Sequence, residues 1–160
     1  MAHPVQLPGA MRRALDFHGV TSDLPVVLLA EDDDELRRLL ARKLRRQGWD
    51  VVEARTGTQL VELVLEHTVA PIADDQRVAS LVITDLRMPG RSGLEVLRLL
   101  RRSLVTVPMI LMTAFGSREV HDEALALGAA AMFDKPVDLD DLTAAACALI
   151  GRDDRQAAHE

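Results

Sequence analysis

Pro25-Val-Val-Leu-Leu-Ala-Glu-Asp-Asp-Asp-Glu-Leu-Arg-Arg-Leu-Leu40 is the stretch that decides the fold. Residues 25–30 are an apolar run with no polar alternation. Such a run reads as a strand buried on both faces, as in a parallel sheet with helices above and below. Leu36, Leu39, Leu40 and Leu44 then recur at helical spacing, with Arg37, Arg38, Arg42, Arg45 and Arg46 around them. The pattern predicts a helix over 33–47 that stops at Gly48. Between strand and helix stand five consecutive acids, Glu31 to Glu35.

The same unit recurs along the chain. Asp50 to Ala54 predicts a second strand, and Gly57 to His67 a second helix through Leu60, Leu63 and Val64. Ser80 to Thr84 predicts a third strand, and Gly93 to Arg102 a third helix with Leu94, Leu97 and Leu100 inward. Val107 to Met112 and Ser117 to Leu127 form the fourth pair, Ala130 to Phe133 and Asp138 to Ile150 the fifth. The last helix aligns Leu139, Leu142, Ala146 and Leu149 on one face, and Cys147 is expected as a small buried residue. Five alternating strand–helix units imply a doubly wound α/β fold, whose sites sit at the carboxyl ends of the strands. Val69 to Ala79, with Pro71, Asp74 and Asp75, has no period and reads as an extended loop insertion. The expected domain covers 25–150, between an N-terminal extension, 1–24, and a C-terminal tail, 151–160.

Composition narrows the function. The chain has 160 residues, enough for one ordinary domain, and 48% of them are hydrophobic. Aromatics supply only 2%, so Val, Leu, Ile, Met and Ala must fill the core. No apolar run approaches the roughly 18 residues of a membrane span, and no secretory signal stands at the start. One cysteine excludes an internal disulfide and fits a reducing, cytoplasmic compartment. A net charge of −6 argues against sequence-independent nucleic-acid binding. No glycine-rich phosphate loop follows the first strand, which argues against a nucleotide-binding enzyme.

The strand ends carry the chemistry. The first strand runs into Glu31 and Asp32, the third into Asp85, the fourth into Thr113, and the fifth into Asp134-Lys135-Pro136. On one sheet edge these residues converge. Carboxylates so placed repel unless a cation intervenes. Mg2+ fits, because it takes one or two carboxylates and keeps positions for water and substrate oxygens. A carboxylate, a metal ion, a lysine and a hydroxyl are the set that phosphoryl transfer to an aspartate requires. Asp33 and Asp34, by contrast, read as first-turn residues that cap the helix.

Four motifs in order resemble the receiver domain of two-component response regulators, the CheY-like family. Val27 to Asp33 with Leu36-Arg37 is similar to its first strand and acidic pair, and Asp85-Leu-Arg-Met-Pro-Gly-Arg-Ser-Gly-Leu94 to its phosphoacceptor loop. Met112-Thr-Ala-Phe-Gly116 resembles the threonine strand end, and Gly128-Ala129 with Lys135-Pro136 the lysine strand end. The resemblance implies a parallel sheet in the order 2-1-3-4-5 with helices on both faces. It implies Asp85 as phosphoacceptor, Asp32 as a direct Mg2+ ligand, Glu31 acting through water, and the Arg87 backbone carbonyl as a further ligand. Thr113 would contact the phosphoryl group, Lys135 would pair with Asp85, and the Lys135–Pro136 peptide would be cis. Arg87 and Phe115 would flank the site and tune hydrolysis.

The resemblance also implies partners: a sensor histidine kinase or histidine phosphotransfer protein as donor, and a downstream effector protein or output domain, read through the fourth helix, fifth strand and fifth helix. Neither direct nucleic-acid contact nor membrane insertion is expected. Beyond Ile150 stands only a short polar segment, so the chain is expected either to act alone or to be part of a longer regulator. Two features depart from the family. Met132 stands where an aromatic switch residue is usual, with Phe133 expected on the opposite face, in the core. The 69–79 insertion has no counterpart in a minimal receiver. Competing readings are a pseudo-receiver that binds without phosphorylation and an aspartyl-phosphate phosphatase. The second lacks the usual general acid, since Arg87 stands two residues after Asp85.

Overall fold

A computed structural model describes residues 24–69 and 77–157 of the chain. The strands are β1 (Val26–Ala30), β2 (Asp50–Ala54), β3 (Ala79–Asp85), β4 (Met109–Thr113) and β5 (Ala131–Asp134). The helices are α1 (Asp34–Arg45), α2 (Gly57–Val64), α3 (Gly93–Arg102), α4 (Arg118–Ala126) and α5 (Leu139–Ala157). The strands form one parallel sheet in the order β2-β1-β3-β4-β5.

The apolar run of β1 has its explanation in two cores. Val26, Leu28 and Ala30 pack on one face with Leu60 and Val64 of α2, Leu97 and Leu100 of α3, and Ala124 of α4. Val27 and Leu29 pack on the other with Leu40 and Leu44 of α1 and Leu142, Ala146 and Ile150 of α5. Alternate residues of one strand thus feed opposite cores, and a polar residue fits on neither side. β5 lies at the sheet edge and is only half-buried. Met132 joins the first core and Phe133 the second, the alternation expected from the sequence.

Helix starts follow side-chain caps. Asp33, Thr56, Ser92 and Ser117 each accept a backbone N–H from the first turn of α1, α2, α3 and α4. Asp138 does the same for α5, accepting from the N–H groups of Asp140 and Asp141. Gly48 takes φ +86°, the left-handed conformation that ends α1.

Several boundaries differ from the sequence reading. β4 starts at Met109, not Val107, because Pro108 has no N–H for the ladder; its carbonyl accepts from Val82 instead. α2 turns into a π-helical segment, Leu65–Val69, before its expected end. α5 continues past Ile150 to Ala157, since one glycine costs a helix only about 1 kcal/mol. Cys147 is exposed, not buried, with its Sγ 3.8 Å from Gln47 Oε1, because the face it occupies points away from Leu142 and Ala146. Arg37, one of the arginines around the leucine stripe of α1, is buried at 3% exposure. The 1–24 extension, except Leu24, and most of the 69–79 insertion lie outside the described residues.

One glycine carries the approach of two loops. The N–H of Gly57 donates to Pro89 O at 3.0 Å, and a Cβ there would overlap the backbone carbonyl of Arg91. Backbone cannot yield as a flexible side chain does. Gly57→Ala is therefore expected to destabilise the fold by about 3 kcal/mol, read in urea unfolding. Wild-type stability in this variant would show that the loop relaxes without cost.

Candidate functional site

Strand register brings the polar residues together. Ala30 of β1 lies beside Thr84 of β3, Asp85 beside Met112 of β4, and Thr113 beside Asp134 of β5. The residues that follow or end these strands share one edge, where the chain leaves β1 and β3 in opposite directions. This is the switch point at which doubly wound sheets bind ligands.

Glu31, Asp32 and Asp85 each place a carboxylate oxygen so that all three lie within 4.8 Å of one another. Glu31 is fully buried and Asp85 is 6% exposed, while Asp32 is exposed. Lys135 reaches across from β5: its Nζ donates to Glu31 Oε2 at 2.7 Å and to Asp85 Oδ2 at 2.8 Å. Two strand spacings separate β5 from β3, about 10 Å, and a lysine stem reaches across much of that gap. The Lys135–Pro136 peptide is cis, as the resemblance implies. The Lys135 N–H donates to Thr113 O at 2.8 Å, which fixes the start of the side chain.

The remaining hydrogen bonds complete the frame. Asp85 Oδ1 accepts from the Arg87 N–H at 3.3 Å, and Glu31 Oε1 from the Asp33 N–H at 3.1 Å. Thr113 is buried, and its Oγ1 accepts from the Phe115 N–H at 3.2 Å. The Arg87 guanidinium lies 5.6 Å from the centre of the Phe115 ring, which is 72% exposed at the rim. His121 of α4 meets Asp134 at 2.9 Å, next to Lys135 in sequence. The structure thus gathers Glu31, Asp32, Asp85, Thr113 and Lys135 as expected. Met132 lies two register steps back from the Thr113–Asp134 pair, beside Leu111. Asp33 and Asp34 stay apart, Asp33 capping α1 and Asp34 paired with Arg37 at 2.6 Å. Periodicity missed His121 and Arg37, because neither has a sequence signal that a neighbouring element covers it.

Electrostatics bear on what the cluster can hold. Burial pushes the Glu31 carboxyl above its ordinary value, and the nearby Asp85 charge adds to this, against the hydrogen bond from Lys135. Burial alone would lower the Lys135 ammonium, but its bonds to Asp85 and Glu31 prevail and hold it above its ordinary value. Three carboxylates face one lysine, an all-oxygen donor set with excess negative charge that fits a hard divalent cation.

The Glu31 shift has a testable sign. A carboxyl whose folded value is raised favours folding below its ordinary 4.5, and that contribution is lost as pH rises through the folded value. Glu31→Gln mimics the neutral form at every pH. In metal-free buffer at pH 7 it should melt above the wild type, and the gap should close below pH 4.5. A lower melting temperature at pH 7 would mean the Lys135 pairing outweighs burial.

Comparison with known proteins identifies the family. Residues 27–147 match the family model described as response regulator receiver domain. Sporulation initiation phosphotransferase F of Bacillus subtilis is 28% identical over 72% of this chain and 86% of its own length. Regulatory protein AtoC of Escherichia coli is 34% identical over 72% of this chain but only 23% of its own. Transcriptional regulatory protein PdtaR of Mycobacterium tuberculosis is likewise 34% identical, over 72% of this chain and 52% of its own. The chain therefore spans about half or less of the length of some relatives. A Francisella response regulator receiver domain superposes with a TM-score of 0.70 at 26% identity, covering 80% of this chain and 98% of that one. A CheY-like receiver domain protein from Methanospirillum hungatei shares the fold, with a TM-score of 0.70 at 22% identity over 84% of this chain and 99% of that one. The chain belongs to the response regulator receiver domain family.

Proposed function

We propose that this receiver domain takes a phosphoryl group onto Asp85 from the phosphohistidine of a sensor histidine kinase or histidine phosphotransfer protein, and that the added charge switches a protein-binding face. The observation that carries this reading is a buried strand-end aspartate bonded to Lys135 at 2.8 Å within an acidic cluster. Family membership supports it, as does the name of the Bacillus relative, a phosphotransferase.

The chemistry balances without a further reactant. An Asp85 oxygen attacks phosphorus in line, the bond from phosphorus to the donor imidazole breaks, and its electron pair returns to the ring nitrogen. Glu31, Asp32, Asp85 and the Arg87 carbonyl would hold Mg2+, with Glu31 acting through water. Bound there, the ion supplies positive charge to the phosphoryl oxygens. Lys135 moves from carboxylate to phosphoryl oxygen. Thr113 turns its hydroxyl to donate to another phosphoryl oxygen.

That movement reaches β5 through the Lys135 N–H bond to Thr113 O and reaches α4 through the loop after Thr113. The face of α4, β5 and α5 then binds an effector protein or output domain, with Met132 filling the place of the family's aromatic residue. The domain works in the cytoplasm and catalyses only its own phosphorylation and dephosphorylation. Among the described residues no helix is long and apolar enough to cross a membrane.

Incubation with acetyl phosphate and Mg2+ is expected to add about 80 Da to the intact protein, and a chelator to prevent it. No mass gain, while a control receiver labels, would sink the proposal. Met132 favours one competitor, a binding module that is never phosphorylated, which predicts partner binding indifferent to the phosphodonor.

A further inference from the structure

Arg37 stands out among the charged residues of α1. It is 3% exposed, and its guanidinium has three acceptors on different elements. Nη2 bonds Asp34 Oδ1 at 2.6 Å, Nε lies 3.3 Å from Glu53 Oε1 on β2, and Nη1 donates to the main-chain carbonyl of Glu31 at 3.0 Å. The first contact lies within α1, and the second would clamp the helix to the sheet. The third reaches the acidic site itself.

That carbonyl belongs to the peptide joining Glu31 to Asp32. The Glu31 N–H donates to Ala54 O at 3.1 Å, so both polar groups of the Glu31 backbone are engaged from outside the turn. Asp32 is exposed, and its aim depends on the peptide before it. A rotation of that peptide would move both carboxylates relative to Asp85. A guanidinium can hold three acceptors at fixed angles, whereas an ammonium on a flexible stem holds them less rigidly.

We infer that Arg37 is a positioning residue for the divalent-cation site: by holding the Glu31 carbonyl it keeps the Glu31 and Asp32 carboxylates in ligating register with Asp85. This rests on the metal reading proposed above.

The test is Mg2+ affinity of the full chain, measured by calorimetry on variants whose circular dichroism shows a folded state. Arg37→Met is expected to weaken Mg2+ binding by about tenfold or more, the usual effect of losing a group that orients metal ligands. Arg37→Lys keeps the charge and should fall between Arg37→Met and wild type. Arg38→Met removes the same charge from an exposed neighbour and should change affinity by less than about twofold, since solvent screens it. A clamp role alone would lower the melting temperature and leave affinity unchanged. Wild-type affinity in folded Arg37→Met or in Arg37→Lys overturns the inference, and so does an equal loss in Arg38→Met. Absence of Mg2+ binding by the wild type overturns the metal reading itself, and the inference with it.

Discussion

Asp85→Asn is expected to gain no mass from acetyl phosphate and Mg2+, under conditions that add about 80 Da to the wild type. The amide cannot attack phosphorus as a carboxylate does, and the neighbouring acids are badly placed to replace it. Glu31 is fully buried, with one oxygen bonded to Lys135 and the other to the Asp33 N–H. Asp32 is exposed, and the Lys135 ammonium bonds Glu31 and Asp85. Loss of labelling through unfolding is a separate outcome that stability measurement excludes. The Asp85 charge helps to raise Glu31, so its removal relieves repulsion inside the cluster. The melting temperature of metal-free Asp85→Asn should be no lower than that of the wild type. Full labelling of a folded Asp85→Asn protein would move the acceptor elsewhere.

Lys135→Met should separate the two roles of this site. It removes the ammonium bonded to both Glu31 and Asp85. Phosphoryl uptake should fall about a hundredfold or more, because a fixed donor aimed at the developing charge is lost. Mg2+ binding should tighten, since the same carboxylates then face the ion without a competing positive charge. Stability without metal should drop by about 3 kcal/mol, the cost of leaving buried charge unpaired, and Mg2+ should restore much of it. Rapid-quench labelling and calorimetric titration read the two effects separately. Slower labelling together with weaker Mg2+ binding would mean that Lys135 only holds the site's shape.

Much of this site was legible because polar residues at the ends of apolar strands have few structural reasons to be there. Glu31, Asp85 and Thr113 each follow or close a buried run, Lys135 follows a half-buried one, and the parallel alternation carries all of them to one edge. Asp33 was legible as a cap by its place before the first leucine of α1. Arg37 and Cys147 were not. Helical spacing sorts residues by angle around an axis, but it does not say how wide a sector the neighbouring elements cover. Arg37 lies where Glu53 of β2 and the turn at Glu31 meet α1, so a residue outside the leucine stripe is enclosed by acceptors. Cys147 follows core residue Ala146 yet lies just past the covered sector.

By itself the sequence determined the strand–helix alternation, the two-sided burial of the central strands and the identity of the strand-end residues. These depend on local hydrophobic period and on caps a few residues away. Tertiary structure alone decided that Lys135 bonds Glu31 and Asp85, residues 104 and 50 positions distant, and that Arg37 turns inward to the Glu31 carbonyl. Such contacts depend on sheet order and on how helices lie across it, and both are set by packing over the whole domain rather than by any one segment.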